Sequence, residues 1–284
     1  MRNKLVGSGG EKISVYGGTG FIGSRFVEMY GDCILIDREE REPKSDTAVY
    51  FISTTHNYNV FDDYGLDVRT NLSVLLDTLD KFRRSGGKTF NFISSWFVYG
   101  DCPDYPAKED SHCSPKGFYS ITKKCAEDML VSYCKTFDID YRIIRLCNVY
   151  GLSDGGVSKK KNALQYIVNR LKNNERIDLY NGGEFCRDYM YVGDVVRAIR
   201  LIIAKGEPNS IFNVGSGVPH RFVDLIELVK SLSNSSSEIV SVEPPEFHKI
   251  VQVKNMYLDN SRLLGLGFEH KVNIEDGMRL LCGI

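Results

Sequence analysis

The sequence predicts an α/β fold: a doubly wound parallel sheet followed by a smaller C-terminal α/β region. Three observations carry this prediction. Short apolar runs with strand character alternate with amphipathic helical patterns through the first half of the chain. A tight glycine turn, Gly17 to Gly23, joins the first strand to the first helix. The strands end in polar residues, Asp37, Ser94-Ser95 and Asn148, at the rim where open parallel sheets bind their ligands.

Residues 13–16 form the first strand, which stops at Gly17-Gly18. Phe21-Ile22 then opens a helix over 21–30, with Phe21, Ile22, Phe26, Val27 and Met29 on a broad apolar face. The turn satisfies two glycine templates, Gly18-x-Gly20-x-x-Gly23 and Gly17-x-x-Gly20-x-x-Gly23. Either brings free backbone N–H groups and the positive end of a helix dipole to one point, an anion site suited to a pyrophosphate. A second buried strand over 33–36 ends at Asp37, about twenty residues beyond the first loop glycine. A dinucleotide fold places there the carboxylate that holds the adenosine ribose. That acid favours NAD, while Arg38 beside it suits a 2′-phosphate and leaves NADP open.

The charged connection after Asp37 is too short for another helix-and-strand unit, so 48–54 is the next strand. Residues 67–84 form a long amphipathic helix with Val68, Leu72, Leu75, Leu76, Leu79 and Phe82 on one side. Gly86-Gly87 ends it, and 88–93 is a strand closing in Ser94-Ser95. The helix over 119–137 has apolar positions spread over too wide an arc for one core face, and a strand over 141–147 follows. Beyond Gly151 the regularity weakens. A loop at 153–156 precedes a helix from Lys159-Lys160-Lys161 to about Asn173, and short strands at 177–180 and 185–191 flank Asn181-Gly182-Gly183. A helix over 192–204, a strand over 211–214 and a helix over 222–232 come next, with helix signals at 260–264 and 273–281. Residues 1–150 are therefore expected to bind the dinucleotide and 151–284 the substrate, with 192–214 returning to the first domain.

A chain of 284 residues with 42% hydrophobic and 26% charged content can bury a substantial core. The net charge of −1 gives no reason to expect nucleic-acid binding. No apolar run approaches the ~20 residues of a membrane span, and residues 1–12 lack the apolar core of a signal peptide. The eight cysteines are scattered with no C-x-x-C pair, which suits reduced thiols and a cytoplasmic protein. The five histidines show no metal-ligand spacing, so no metal is expected.

The strongest chemical constellation is Tyr119-Ser-Ile-Thr-Lys123 with Ser95. Tyrosine and lysine at i and i+4 share one helical face. An ammonium beside a phenol stabilises phenolate, so Lys123 is expected to lower the Tyr119 pKa and make it a general acid/base near neutrality. Ser95, at a strand's carboxyl end, is placed to hydrogen-bond the same substrate oxygen.

Seven segments in fixed order resemble the extended short-chain dehydrogenase/reductase family, nucleotide-sugar epimerase/dehydratase branch, over nearly the full length. They are Gly17-Gly-Thr-Gly-Phe-Ile-Gly23, Asp37, Ser94-Ser-Trp-Phe-Val-Tyr-Gly100, Tyr119-x-x-x-Lys123, Arg145-Leu-Cys-Asn-Val-Tyr-Gly151, Arg187-Asp-Tyr-Met-Tyr-Val192 and Asn213-Val-Gly-Ser-Gly217. The resemblance implies a Rossmann-type fold, with Gly17, Gly20, Phe21, Ile22, Gly23, Asp37 and Arg38 on the cofactor. It implies Ser95, Tyr119 and Lys123 as the catalytic set, with Tyr119 and Lys123 also on the cofactor's nicotinamide end. Ser95, Trp96, Asn148 and Arg187 then face a nucleotide-diphosphate sugar, Arg187 at its diphosphate. Trp96-Phe97 stands where 4,6-dehydratases carry an acid pair, which argues against water elimination. His56 and Asn57 are further candidates to face the substrate, and Lys159–Lys161 to assist phosphate binding. Epimerisation, at C4 through a keto intermediate, is the first expectation. A NAD(P)H-dependent 4-ketoreductase of a nucleotide-diphosphate deoxysugar comes second, and a non-catalytic dinucleotide-binding regulator is the reading from another class. The wide apolar arcs of helices 67–84 and 119–137 point to a homodimer, and the resemblance implies that these helices pair in an intersubunit four-helix bundle.

Overall fold

The computed structural model of the chain describes residues 12–152 and 162–284. The 153–156 loop and Lys159–Lys161 lie outside the described residues. In chain order, β1 (Ile13–Tyr16) leads to α1 (Phe21–Met29), β2 (Cys33–Leu35) and β3 (Thr47–Tyr50). Then come α2 (Leu66–Val68), a π-helical turn (Arg69–Ser73), α3 (Val74–Arg84), β4 (Thr89–Ser95), α4 (Phe118–Thr136) and β5 (Asp140–Leu146). The second half holds β6 (Asn148–Tyr150), α5 (Ala163–Lys172), β7 (Ile177–Tyr180), β8 (Cys186–Arg187), β9 (Tyr189–Tyr191), α6 (Val192–Lys205) and β10 (Ser210–Val214). It closes with β11 (His220–Arg221), α7 (Phe222–Leu232), β12 (Ile239–Val242), α8 (Glu246–Val251), β13 (Asn255–Met256), α9 (Ser261–Gly265) and α10 (Ile274–Cys282).

Six parallel strands form one sheet in the order β10-β5-β4-β3-β1-β2. Because side chains alternate faces along a strand, Val15 and Tyr16 enter opposite cores. One core packs Val15, Val49 and Ile144 with Phe26 of α1 and Val196 and Ile199 of α6. The other packs Tyr16, Tyr50, Phe90 and Phe92 with Leu75, Leu79 and Phe82 of α3 and Leu130 of α4. Burying each such side chain is worth roughly 1.5–3 kcal/mol relative to leaving it in water. Helices on both faces explain why these strands read as continuous apolar runs. The short link from β2 to β3 crosses the end of β1 without a helix, pinned where Ser14 Oγ accepts Lys44 N at 2.8 Å.

A third core joins α5, α7 and α10 through Leu164, Ile167, Leu225, Ile226 and Met278. β10 leaves this half of the sequence to pair with β5, Ile211 opposite Ile143.

Three expected elements differ. The long helix over 66–84 widens into the π-turn at 69–73. The 48–54 run keeps strand pairing only to Tyr50, after which residues 51–56 have no regular secondary structure. The 185–191 run breaks into β8 and β9 at Asp188, a buried carboxylate that accepts Ser216 N and Ser216 Oγ at 2.8 and 2.6 Å. The wide arc of α4 is real. Tyr119, Lys123, Ala126 and Leu130 are buried, while Phe118 and Ile121 stand exposed, as do Val68 and Tyr64.

Candidate active site

Gly17 follows β1 at φ +75°, a conformation only glycine adopts freely. A Cβ on Gly23 would lie 2.4 Å from Gly17 O, so α1 can begin directly against the strand end only with glycine there. Gly17, rather than Gly18, therefore opens the working template; Gly18 packs beside the Leu35 and Val27 side chains. α1 has no acidic residue in its first turn and no side-chain cap. Its first-turn N–H groups, at Phe21, Ile22 and Gly23, are thus offered to the cleft that these residues line. This cradle fits a dinucleotide pyrophosphate. Asp37 is exposed just past β2, its Oδ1 accepting Glu39 N at 2.8 Å. Asp37 and Arg38 stand outside the cleft wall, at the β2 end of the sheet.

Ser95 ends β4 and caps the 3₁₀ turn Trp96–Val98, its Oγ accepting Phe97 N at 3.4 Å. The Gly117 turn, at φ +80°, starts α4 so that Tyr119 and Lys123 face this strand end. Tyr119 lines the same cleft as Ser95 and Ser53. Phe97 packs edge-on to its ring at 5.6 Å. Lys123 is 2% exposed; its Nζ donates to Ile93 O at 2.7 Å and lies 4.1 Å above the Phe92 ring.

The expected tuning is corrected here. Tyr119 is pushed up to about 12, first by burial and further by the Asp67 carboxylate, against the opposing pull of Ser95 and Ser53. Burial pushes Lys123 down to about 7, with Glu127 opposing. The ammonium is drawn to Ile93 O, so it does not supply the cation that would depress the phenol.

Behind these residues a buried ion pair fixes β4, α4 and β5. Arg145 Nη2 meets Glu127 Oε2 at 2.7 Å, Arg145 Nε donates to Oε1 at 3.0 Å, and Ser94 Oγ donates to Oε1 at 2.6 Å. Removing one partner of such a pair strands a buried charge and costs about 3–5 kcal/mol.

On the opposite wall Arg187 is 8% exposed. Its Nη1 donates to Cys186 O at 2.8 Å and Lys254 O at 2.9 Å, and Nη2 donates to Val253 O. The guanidinium lies over Trp96 at 5.2 Å and Phe185 at 4.7 Å, and burial pushes its pKa down to about 10. Among the described residues no carboxylate pairs with it. A buried cation held by carbonyl dipoles and aromatic faces is suited to an anionic ligand. Asn148 starts β6 with Nδ2 donating to Asp188 O at 3.1 Å, and buried Trp96 stacks on Phe97 at 3.9 Å.

One cleft of about 760 Å³ brings together the Gly17–Gly23 cradle, Ser95, Trp96, Tyr119, Lys123, Asn148 and Arg187. His56 and Asn57 also line it, but the Asn57 side chain is tied to Ser120, Nδ2 to Oγ at 3.2 Å. Sequence reasoning missed Ser53 and Asn71. Ser53, which lines the cleft, looked like strand interior, and Asn71, in the π-turn, only supports it by accepting from Ser53 Oγ at 3.1 Å. Among the described residues no group of three or more His, Cys, Asp or Glu is arranged to hold a metal.

The sequence model of the NAD dependent epimerase/dehydratase family matches residues 40–215, more than half of the chain. Among curated proteins, the chain is 28% identical to the low-salt glycan biosynthesis protein Agl12 of Haloferax volcanii, covering 89% of this chain and 79% of that protein. It is 25% identical to a putative UDP-glucose 4-epimerase of Methanocaldococcus jannaschii, covering 94% and 96%. Among solved structures, UDP-glucose 4-epimerase from Thermotoga maritima with UDP-glucose matches at a TM-score of 0.86 and 26% identity, covering 96% and 97%. RMD from Pseudomonas aeruginosa complexed with NADPH shares the fold at a TM-score of 0.83 and 22% identity, covering 96% and 98%. With its glycine cradle, its tyrosine and lysine on one helix face and its match over the central segments, the chain belongs to the NAD dependent epimerase/dehydratase family, a nucleotide-sugar branch of the extended short-chain dehydrogenases/reductases, and is an enzyme.

Proposed function

We propose that the protein is an NAD-dependent epimerase of a nucleotide-diphosphate sugar, acting at C4 through a keto intermediate. The observation that carries this reading is the cleft that Tyr119 and Ser95 share with a buried arginine that has no acid partner among the described residues. Gly17, Gly20, Phe21, Ile22 and Gly23 would hold the cofactor pyrophosphate, Asp37 the adenosine ribose, and Tyr119 with Lys123 the nicotinamide ribose. Bound NAD supplies a hydride acceptor that can return the hydride to the sugar. Tyr119 takes and gives back the C4 hydroxyl proton, and Ser95 hydrogen-bonds the same oxygen. Arg187 and Asn148 hold the diphosphate, which leaves the sugar free to present either face. Trp96 closes the sugar end with an indole where water elimination needs an acid or base, so dehydration lacks its proton carrier.

One observation favours a second reading. A Tyr119 phenol pushed up to about 12 is protonated at neutral pH, the form with which a 4-ketoreductase protonates its new alkoxide. A panel of nucleotide sugars and their 4-keto derivatives, analysed by chromatography and mass, separates the two. Unchanged mass at a new retention time supports epimerisation. Gain of two hydrogens supports the ketoreductase, and turnover of nothing while nicotinamide cofactor binds returns the non-catalytic reading.

The substrate-holding role is assigned to 151–284, since α5, β7 and β8 contribute one wall of the cleft. Homodimerisation through helices 66–84 and α4 is supported by exposed Phe118, Ile121, Val68 and Tyr64. A cytoplasmic location is supported by eight free thiols. Among the described residues no helix is long and apolar enough to cross a membrane.

A further inference from the structure

The sheet is unequal on the two sides of the glycine cradle. A doubly wound dinucleotide fold has two mononucleotide-binding halves of about three strands each, with the pyrophosphate between them. Here β3, β4, β5 and β10 lie on the side that carries Ser95. On the other side β2 stands alone beside β1, three residues long, and among the described residues no strand pairs with its outer edge. Its last residue, Leu35, is 48% exposed. The half that would take the adenosine end therefore lacks a third strand and the crossover helix leading to it.

The link over 36–46 that stands in their place is tied to α3. Arg41 Nη1 meets Asp77 Oδ2 at 3.4 Å, and Lys81 Nζ meets Glu42 Oε1 at 3.4 Å and also donates to Glu40 O. From β1, the Tyr16 hydroxyl donates to Arg41 O at 3.2 Å. Each exposed ion pair is worth at most about 1 kcal/mol, but together these ties hold the link against α3. Asp37 Oδ1 also turns back on the link, accepting Glu39 N at 2.8 Å and Glu40 N at 3.4 Å. The cleft agrees: Gly17, Gly20, Phe21, Ile22, Gly23 and Phe51 line it, and no residue from 24 to 50 does. Its concave surface stops at the cradle. We infer that the chain grips a nicotinamide dinucleotide by its pyrophosphate and nicotinamide half, leaves the adenine ring open to solvent, and so accepts dinucleotides with an enlarged purine. This rests on the cofactor seat at Gly17–Gly23 in the proposed function. Asp37 serves the ribose there, and the base beyond it meets no wall that could select it by shape.

The test uses nicotinamide ethenoadenine dinucleotide, whose added ring both enlarges the purine and makes it fluoresce, with the full chain and no sugar. This readout needs no turnover, so it stands even if no nucleotide sugar proves to be a substrate. A closed pocket that meets even one added methylene discriminates by about 10–200-fold. Over an open edge the etheno dinucleotide should instead bind within about tenfold of NAD, both measured by calorimetry. Once bound, its ring should stay open to acrylamide, quenched about as fully as etheno-AMP in solution. Weakening by more than about tenfold, or shielding of the bound ring from acrylamide, overturns the inference and leaves the proposed function standing. Binding of neither dinucleotide overturns both.

Discussion

The two walls of the cleft each bury one cation, and they hold it differently. Lys123 stands on a long regular helix, one turn from Tyr119, and its ammonium rests on a single carbonyl of the neighbouring strand. Arg187 stands on a two-residue strand and is caged by carbonyls at Cys186, Val253 and Lys254. Lys123 is driven down to about 7 and Arg187 only to about 10. An ammonium with one carbonyl partner keeps less of its lost hydration than a guanidinium with three. Burial thus lowers the lysine further from its ordinary value than the arginine, which stays charged at neutral pH with no acid partner among the described residues.

The largest expected effect breaks the lysine wall. Tyr119→Phe should lower kcat by about 10²–10⁴-fold, the usual worth of general acid–base catalysis, while cofactor affinity measured by calorimetry changes little. The second exposes the cost of the lysine itself. Its folded pKa lies below the unfolded value of 10.5, so the folded state binds fewer protons between about pH 7 and 10.5. Stability relative to Lys123→Met should therefore rise with pH across that window, by up to about 4 kcal/mol, and be lost again as pH falls to 7. Urea unfolding at pH 7, 8.5 and 10 reads the slope. A flat difference would mean that the ammonium is not desolvated.

The arginine wall should respond in binding rather than chemistry. Arg187→Ala should raise KM for the nucleotide sugar by about 100-fold, from the loss of charge-assisted hydrogen bonds, with a smaller change in kcat. A fall in kcat at unchanged KM would move Arg187 out of the diphosphate role. The smallest effect lies outside both walls. Asp37→Ala should weaken NAD by about tenfold and narrow its preference over NADP, read by fluorescence titration of both cofactors.

The same contrast explains what was legible in the sequence. The lysine wall was readable because its parts sit on long elements with fixed periods. Strand β4 delivers Ser95, and the i, i+4 spacing on α4 delivers Tyr119 and Lys123. The glycine cradle was readable because Gly17 and Gly23 answer local backbone geometry. The state of Tyr119 was not, since burial raises its pKa and Asp67, which raises it further, arrives from α2, outside the motif. Arg187 was named by its motif, but its cage was not foreseen. The carbonyls of Val253 and Lys254 arrive from more than sixty residues away, beyond a six-residue helix, α8, that no periodic pattern announced.

The central claim is that both walls act on one nucleotide-diphosphate sugar, Arg187 gripping it while Tyr119 and Ser95 work at C4. The direct test is turnover of a nucleotide sugar deuterated at C4, with NAD as the only added cofactor and the product examined by mass spectrometry and NMR. The account predicts an isomer of unchanged mass, with deuterium retained at C4 and inverted configuration there. Loss of water, or loss of deuterium to solvent, would contradict it.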